Sequence, residues 1–331
     1  FWEADEAAPS PMVAKETAAQ AALAASLEGY RGQATWVTDV DDARVFDFKG
    51  IKDGRCGAAD NGLVLAEGPE TIRLLLSSQF IVERLLLKPS LFATMRSSLE
   101  QRAERRGEDC VQVLLCETAL MEQISGVPAT HASAAIAAAR CPPLHSSLAD
   151  LVPAASDACA PLRVLMLQAL DEESVGSLFR IAACFGINAV LLSPDCGDPF
   201  HRRAVRVSMG HVFHVPMCRG DLAAFLKELG DSSVFTIAAS GACEQARFLD
   251  EIHGISHRWA CLVGPDSGGS VSTTAAAGRP GASAEDLWSS CQCIVAVRTA
   301  SKSGALNVGV AASILLHGFV ERESVDVTSP G

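Results

Sequence analysis

Aromatic residues make up only 5% of this 331-residue chain, and positive charge is in deficit: 27 Lys and Arg stand against 39 Asp and Glu, a formal net charge of −12. A core must therefore be built mostly from aliphatic side chains and alanine. Any contact with a polyanion must be a local basic patch, because the chain as a whole repels one. Long apolar runs are also missing. The stretch Val308–Leu316 falls well short of the ~18–20 residues that a membrane span needs, so no membrane partner is expected. The 12 cysteines form no repeated Cys-x-x-Cys pairs. Cys291 and Cys293 flank one residue, which puts both on one face of a strand and reads as packing rather than half a metal site. His201, His211 and His214 are not spaced as a ligand set either, so no metal is expected. Unpaired thiols scattered along the chain imply a reducing intracellular compartment, cytoplasm or organelle. No Gly-x-Gly-x-x-Gly opens a helix after a strand, which argues against a dinucleotide enzyme.

What is present is alternation. From Gly62 onward, short apolar runs and amphipathic segments follow one another: Leu63–Ala66, a helix behind Pro69, Val82–Leu87, a helix opened by Pro89, Val111–Leu115, Glu117–Ile124, and Ala134–Ala138. Such a pattern predicts an α/β layer architecture. Pro142, Pro143, Pro153 and Pro161, with several serines, break it. The expected organisation is a flexible tail over 1–38, an α/β domain over 39–141, a linker over 142–160, a second α/β domain over 161–322 and a tail over 323–331. Residues 1–30 are rich in Ala and Glu and not in Arg, so they do not read as a transit peptide. In the second domain the expected strands are Val164–Leu170, Ala189–Leu192, Val212–Val215, Val234–Ala238, Ala260–Val263 and Cys293–Val297. The helices between and after them imply a mostly parallel sheet covered on both faces, with ligands beyond the carboxyl ends of its strands.

Four segments stand out. Ser174-Val175-Gly176-Ser177-Leu178-Phe179-Arg180 opens a helix after an acidic turn, with Ser174 as a plausible N-cap. Arg180 sits between Phe179 and Ile181, where a charge needs a partner or a polyanionic ligand. Leu262-Val263-Gly264-Pro265-Asp266-Ser267-Gly268-Gly269 leaves a strand with glycines that let a ligand approach the backbone. Val297-Arg298-Thr299 leaves another strand, and Leu306-Asn307 opens the last helix, where Asn307 can cap the helix or hold a hydroxyl. The fourth segment, Asp198–Gly210, carries Arg202, Arg203 and Arg206. Together with a second cluster, Arg102, Arg105 and Arg106, these are the candidate nucleic-acid contacts; a solvated helix face would explain either cluster as well.

In this order and spacing the segments resemble the motifs of the SpoU/TrmH family of RNA ribose methyltransferases, within the SPOUT superfamily. Leu63–Thr71 and Ser125–Ala134 resemble the opening and closing segments of the ribosomal-protein-like substrate-binding domain found in many members. The resemblance implies a trefoil-knotted C-terminal domain over 161–322 that binds S-adenosylmethionine, preceded by an RNA substrate-binding domain over 39–141, and a homodimer. It implies methyl transfer to a ribose 2′-hydroxyl of rRNA or tRNA. Arg180, Asn307 and Ser174 would be the catalytic positions. Val263, Gly264, Asp266, Gly269, Val297, Thr299, Leu306 and Asn307 would line the cofactor, and Arg202, Arg203 and Arg206 would meet RNA. The chain departs from the motifs at Ser174 (the family's Asn), Ala305 (the family's Ser), Asp266 (usually Glu) and Val297-Arg298-Thr299. In the family that Asn and Ser help hold the ribose and the Arg. Their loss opens the alternative of a weakened or inactive protein that still binds cofactor and RNA.

Overall fold

The structure is a computed structural model and describes residues 23–25, 27–51, 62–106, 111–128, 134–145, 147–151, 160–240, 245–265, 284–300 and 306–324. The chain divides into two compact units, 1–142 and 143–331.

The first unit is built on a five-stranded mixed sheet. Its strands are β1 (Ala34–Trp36), β2 (Leu63–Glu67), β3 (Ile81–Leu87), β4 (Gln112–Leu115) and β5 (Ala135–Arg140), in the order β1-β4-β3-β5-β2. β3 and β1 run parallel to β4, whereas β5 runs antiparallel to both β3 and β2. Helices α1 (Pro69–Ser77), α2 (Pro89–Arg106) and α3 (Thr118–Ser125) connect them. Pro69 occupies the first turn of α1, where its missing N–H costs nothing, and α3 stops at left-handed Gly126. β1 corrects the expectation of a tail over 1–38: Trp36 pairs in register with Leu115, and the adjoining Val37 is buried in the core. Three residues are too few to show a period of two, so the strand left no pattern in the sequence.

The second unit carries a seven-stranded sheet in which every pairing is parallel. After a short helix, α4 (Leu148–Leu151), come β6 (Leu162–Leu167), α5 (Glu172–Cys184), β7 (Ala189–Leu192), α6 (Arg202–Val207), β8 (Met217–Arg219), α7 (Leu222–Asp231) and β9 (Phe235–Ser240). β10 (Arg247–Phe248), β11 (Ile255–Ser256), β12 (Arg258–Val263), α8 (Ala284–Ser289), β13 (Cys293–Ala296), α9 (Val308–Glu321) and β14 (Glu323–Ser324) complete it. The order is β10-β13-β9-β12-β6-β7-β8, so β12 is inserted between β6 and β9.

Alternation along β6 and β12 builds the two faces. Leu162, Val164, Met166, Ala260 and Leu262 join Leu222, Phe225, Leu229 and Leu287 in one cluster. On β12 the odd-numbered Trp259 instead meets Phe319 of α9 edge-on, with ring centroids 5.6 Å apart. Leu148 and Leu151 of α4 also belong to the first cluster. The segment 142–160 is therefore not wholly a linker: a pair of leucines at i and i+3 docks inside a Pro- and Ser-rich stretch. The expected tail over 323–331 begins with a structural residue. Glu323 pairs with Ile255, accepts from Arg163 Nε and Nη2 at 2.7 Å each, and accepts from Trp259 Nε1 at 2.8 Å. The expected strand Val212–Val215 is a 3-10 turn over His211–Phe213, and β8 starts two residues beyond it. Two consecutive left-handed residues, Met209 (φ 52°) and Gly210 (φ 85°), redirect the chain there.

Candidate active site

The carboxyl ends of the parallel strands gather the sequence-predicted segments. β6 ends at Leu167, and Gln168 N–H then donates to Val263 O at 2.9 Å, tying the ends of β6 and β12 together. Ala169 follows in a left-handed conformation (φ 50°) that favours glycine, with its N–H donating to Ser193 Oγ at 3.0 Å. This kink leads into α5. Its N-cap is Asp171, not Ser174: the carboxylate accepts the Ser174 N–H at 2.8 Å. The Ser174 backbone and hydroxyl hold the Asp171 carboxyl below its usual range. Ser174 is thereby engaged at the start of the helix, which corrects its expected role as the cap. An acidic side chain at i−3 competes well for that place.

Close approaches lock α5 against its neighbours. A Cβ on Gly176 would stand 2.5 Å from Ala204 O of α6, so the two helices touch through backbone. A Cβ on Gly309 would stand 2.8 Å from Ser177 Oγ, which seats the start of α9 on α5. Asn307 caps α9, its Oδ1 accepting the Gly309 N–H at 3.0 Å. The expectation that Asn307 opens the last helix holds.

Arg180 lies one turn past Gly176 and Ser177, on the exposed side of α5. The 3-10 turn at His211 packs on α5. Burial, then the positive charge of Arg180, then His214 push the His211 imidazole below its ordinary range. On α6, Arg203 is ion-paired with Glu173 of α5, Arg206 is exposed and Arg202 is half-buried. A helix from His201 starts later than the expected Pro199, because the His201 ring accepts the Arg203 N–H at 3.3 Å.

Of the residues expected to line a cofactor, Val263 and Gly264 are buried at the end of β12, and Val297 is half-buried past β13. Leu306 is half-buried beside Asn307, and Thr299 is exposed. Arg298 turns away to Asp250 and Glu251 (3.2 and 3.0 Å) and lies over the Phe248 ring at 3.9 Å. Asp266, Gly269 and Ala305 lie outside the described residues. Two residues that the sequence did not single out also converge on this edge. Gln168 Oε1 and Trp288 Nε1 lie 3.5 and 3.8 Å from the point where a Gly264 Cβ would stand. Each is buried without a hydrogen-bond partner among the described residues.

Comparison with known proteins gives the family. The model of the SpoU rRNA Methylase family covers residues 161–317. The uncharacterized tRNA/rRNA methyltransferase Rv0881 of Mycobacterium tuberculosis is 32% identical over 239 residues, which span 70% of this chain and 77% of that protein. The chain belongs to the SpoU family of RNA methyltransferases. A shorter match, 32% over 68 residues (20% of this chain, 27% of the relative), is to the 23S rRNA (guanosine(2553)-2′-O)-methyltransferase RlmP of Bacillus subtilis. Among solved structures, an AdoMet-bound rRNA methyltransferase from Sinorhizobium meliloti aligns with TM-score 0.63 and 18% identity, covering 87% of this chain and 97% of that one. An RNA 2′-O ribose methyltransferase aligns at 0.61 and 20%, covering 87% and 99%. Both show the SpoU-type α/β fold with its mostly parallel sheet in this chain.

Proposed function

We propose that this SpoU-family chain transfers the methyl group of S-adenosylmethionine to a ribose 2′-hydroxyl of rRNA or tRNA. The observation that supports this reading is that α5, which carries exposed Arg180, meets the Asn307-capped start of α9 at the Gly309–Ser177 approach and α6 at the Gly176–Ala204 approach. The residues present fit the cofactor. Gly264 leaves a backbone surface at the strand ends, and two buried polar atoms next to it await partners. Val263, Gly264, Val297 and Leu306 would hold it.

Bound there, S-adenosylmethionine supplies an electrophilic methyl, so the protein's task is alignment and charge stabilisation. Arg180 positions the 2′-oxygen and stabilises the negative charge that develops on it. Its pKa, above ~12, makes it a poor base. His211, held toward its neutral form within reach of the Arg180 charge, is available to take the proton. Asn307 keeps an amide NH2 to donate while its oxygen caps the helix. Arg206 and Arg202 would give a local basic face on an acidic chain, and the first unit would carry RNA as well.

The reading brings two further expectations. One is a trefoil knot, for which the insertion of β12 between β6 and β9 is a compatible order. The other is a homodimer through α9. Its exposed Val310 and Ile314 adjoin a groove of about 490 Å³ lined by Phe185, Leu249, Ile314, His317 and Arg322. Light scattering should give a dimer at micromolar concentration, reduced to monomer by Ile314→Glu.

The second reading, a protein that binds cofactor and RNA without catalysis, is favoured by Ser174 being tied to Asp171 where the family carries Asn. Incubation with methyl-labelled S-adenosylmethionine and total rRNA or tRNA, followed by nucleoside mass spectrometry, separates the two. Labelled 2′-O-methylnucleosides are the expected product. Cofactor binding with no labelled nucleoside, for the wild type and for Ser174→Asn, would establish the second reading.

A further inference from the structure

Gln168 and Trp288 bring two polar atoms to the space beside Gly264, next to an apolar cluster of described residues. Gln168 continues β6 past Leu167 at the carboxyl edge of the sheet and is 8% exposed. Trp288 sits on α8 and packs against the cluster of Met166, Leu262 and Leu287. Their side-chain atoms Oε1 and Nε1 both lie within 4 Å of one point, the missing Cβ of Gly264. One is an acceptor, the other a donor, and neither has a partner among the described residues. A buried polar atom left unpaired is costly, so such pairs in folded proteins are met by a ligand or by water. A ligand that satisfied both would present a donor and an acceptor along one edge. The surroundings also select against charge. An ammonium or carboxylate would need an ionic partner in so apolar a setting, whereas a neutral heteroaromatic edge would not.

We propose that Gln168 and Trp288 read the base edge of the cofactor, accepting from an exocyclic amino group at Gln168 Oε1 and donating to a ring nitrogen from Trp288 Nε1. This rests on the reading of S-adenosylmethionine as cofactor and adds to it a selection for adenine over bases that carry a carbonyl in place of the amino group. A base of that kind would bring an acceptor against the Gln168 acceptor. Discrimination of this origin is large, because the polar atoms of the site are left unpaired.

Calorimetry on the full chain with S-adenosylhomocysteine and S-inosylhomocysteine tests it. The wild type should bind the adenosyl compound at least ~10-fold more tightly, the size of one buried hydrogen bond made or lost. Gln168→Leu should bring that ratio close to one. Trp288→Phe, the gentler change for folding, should weaken adenosyl binding by about 5–10-fold. Thermal melts confirm that each variant is folded. Equal binding of the two compounds by the wild type overturns the inference and leaves the cofactor reading standing. So does a preference that survives in both variants. A folded wild type that binds neither compound overturns the cofactor reading itself, and the inference with it.

Discussion

Arginines of the two units stand in opposite surroundings. In the first unit, Arg102 is 2% exposed and donates to Leu76 O (3.1 Å) and Phe80 O (2.6 Å). Arg105 reaches Ser77 O at 3.2 Å, and Arg106 reaches Gln79 O at 2.7 Å. Leu76 and Ser77 close α1, and Gln79 and Phe80 lie in the turn just past it, so the end of α2 caps the end of α1 and the turn that follows. In the second unit, Arg180 and Arg206 stand exposed on helices that meet through glycine and backbone. A cation committed to backbone carbonyls is part of the fold. A cation that stands exposed, in a chain of net charge −12, is the kind that the proposed function would set against an anion. Charge spacing alone could not separate the two surroundings; the difference lies in which acceptors lie opposite.

The largest effect should come from removing the exposed cation at the site. Arg180→Ala is expected to lower methyl transfer by ~10²–10³-fold, about 3–4 kcal/mol of lost charge stabilisation, while the melting temperature and cofactor affinity stay near wild type. Arg180→Lys should restore little, because a point charge does not reproduce the planar fork. Single-turnover rates on the modified RNA provide the measure. A variant that melts early and transfers methyl normally would place Arg180 with the capping arginines.

The mirror-image change comes next in size. Arg102→Ala should destabilise the first unit by about 2–3 kcal/mol, since it leaves buried carbonyls unsatisfied, and should leave the single-turnover rate of folded protein intact. Urea denaturation reads the first quantity. Should Arg102→Ala leave stability unchanged and instead weaken RNA binding, the cluster would be a nucleic-acid surface after all.

Arg206→Ala should act more weakly and only on RNA. One lost phosphate contact reduces the salt slope of binding by about one, uniformly across sequences. Filter binding at several salt concentrations tests this, with Arg105→Ala as the contrast expected to leave the slope alone. Arg203 should fall between the two, because Glu173 already holds its guanidinium and exposed pairs of this kind are worth only ~0–1 kcal/mol.

The alternation of strands and helices, the end of β12 and the cap at Asn307 were legible in the sequence, whereas β6 ends at Leu167, three residues before the expected Leu170, and β13 at Ala296, one before Val297. Each rests on a local signal: an apolar run, a glycine or an Asn at a helix start. What was not legible depends on partners distant along the chain. Trp36, Phe248 and Glu323 sit in strands of two or three residues, which only a neighbouring strand defines. The run Val212–Val215 has strand composition, but the left-handed pair at Met209 and Gly210 turns it into a 3-10 segment. Ser174 was displaced as cap by Asp171, three residues earlier. Gln168 and Trp288 look unremarkable one at a time; their meaning comes from both facing Gly264, which no spacing along the chain encodes.

The finest test of the comparison uses His211 as a reporter of the Arg180 charge. Burial is the main cause of its lowered pKa, Arg180 the next and His214 the third. The folded protein therefore binds this proton less readily than the unfolded chain does. Stability from His211 is fully present above the ordinary histidine pKa of about 6.5 and is lost as pH falls below it, through the depressed folded value. His211→Gln should flatten that acid-side loss. Arg180→Ala should move the His211 titration upward by removing the repulsion, though not fully to its ordinary value, because burial remains. Arg102→Ala should not move it. The C2-proton shift of His211, followed by NMR between pH 5 and 8, would show this directly. An unmoved titration in Arg180→Ala would mean that the Arg180 charge does not reach the imidazole, and His211 would lose its place as the group that takes the ribose proton.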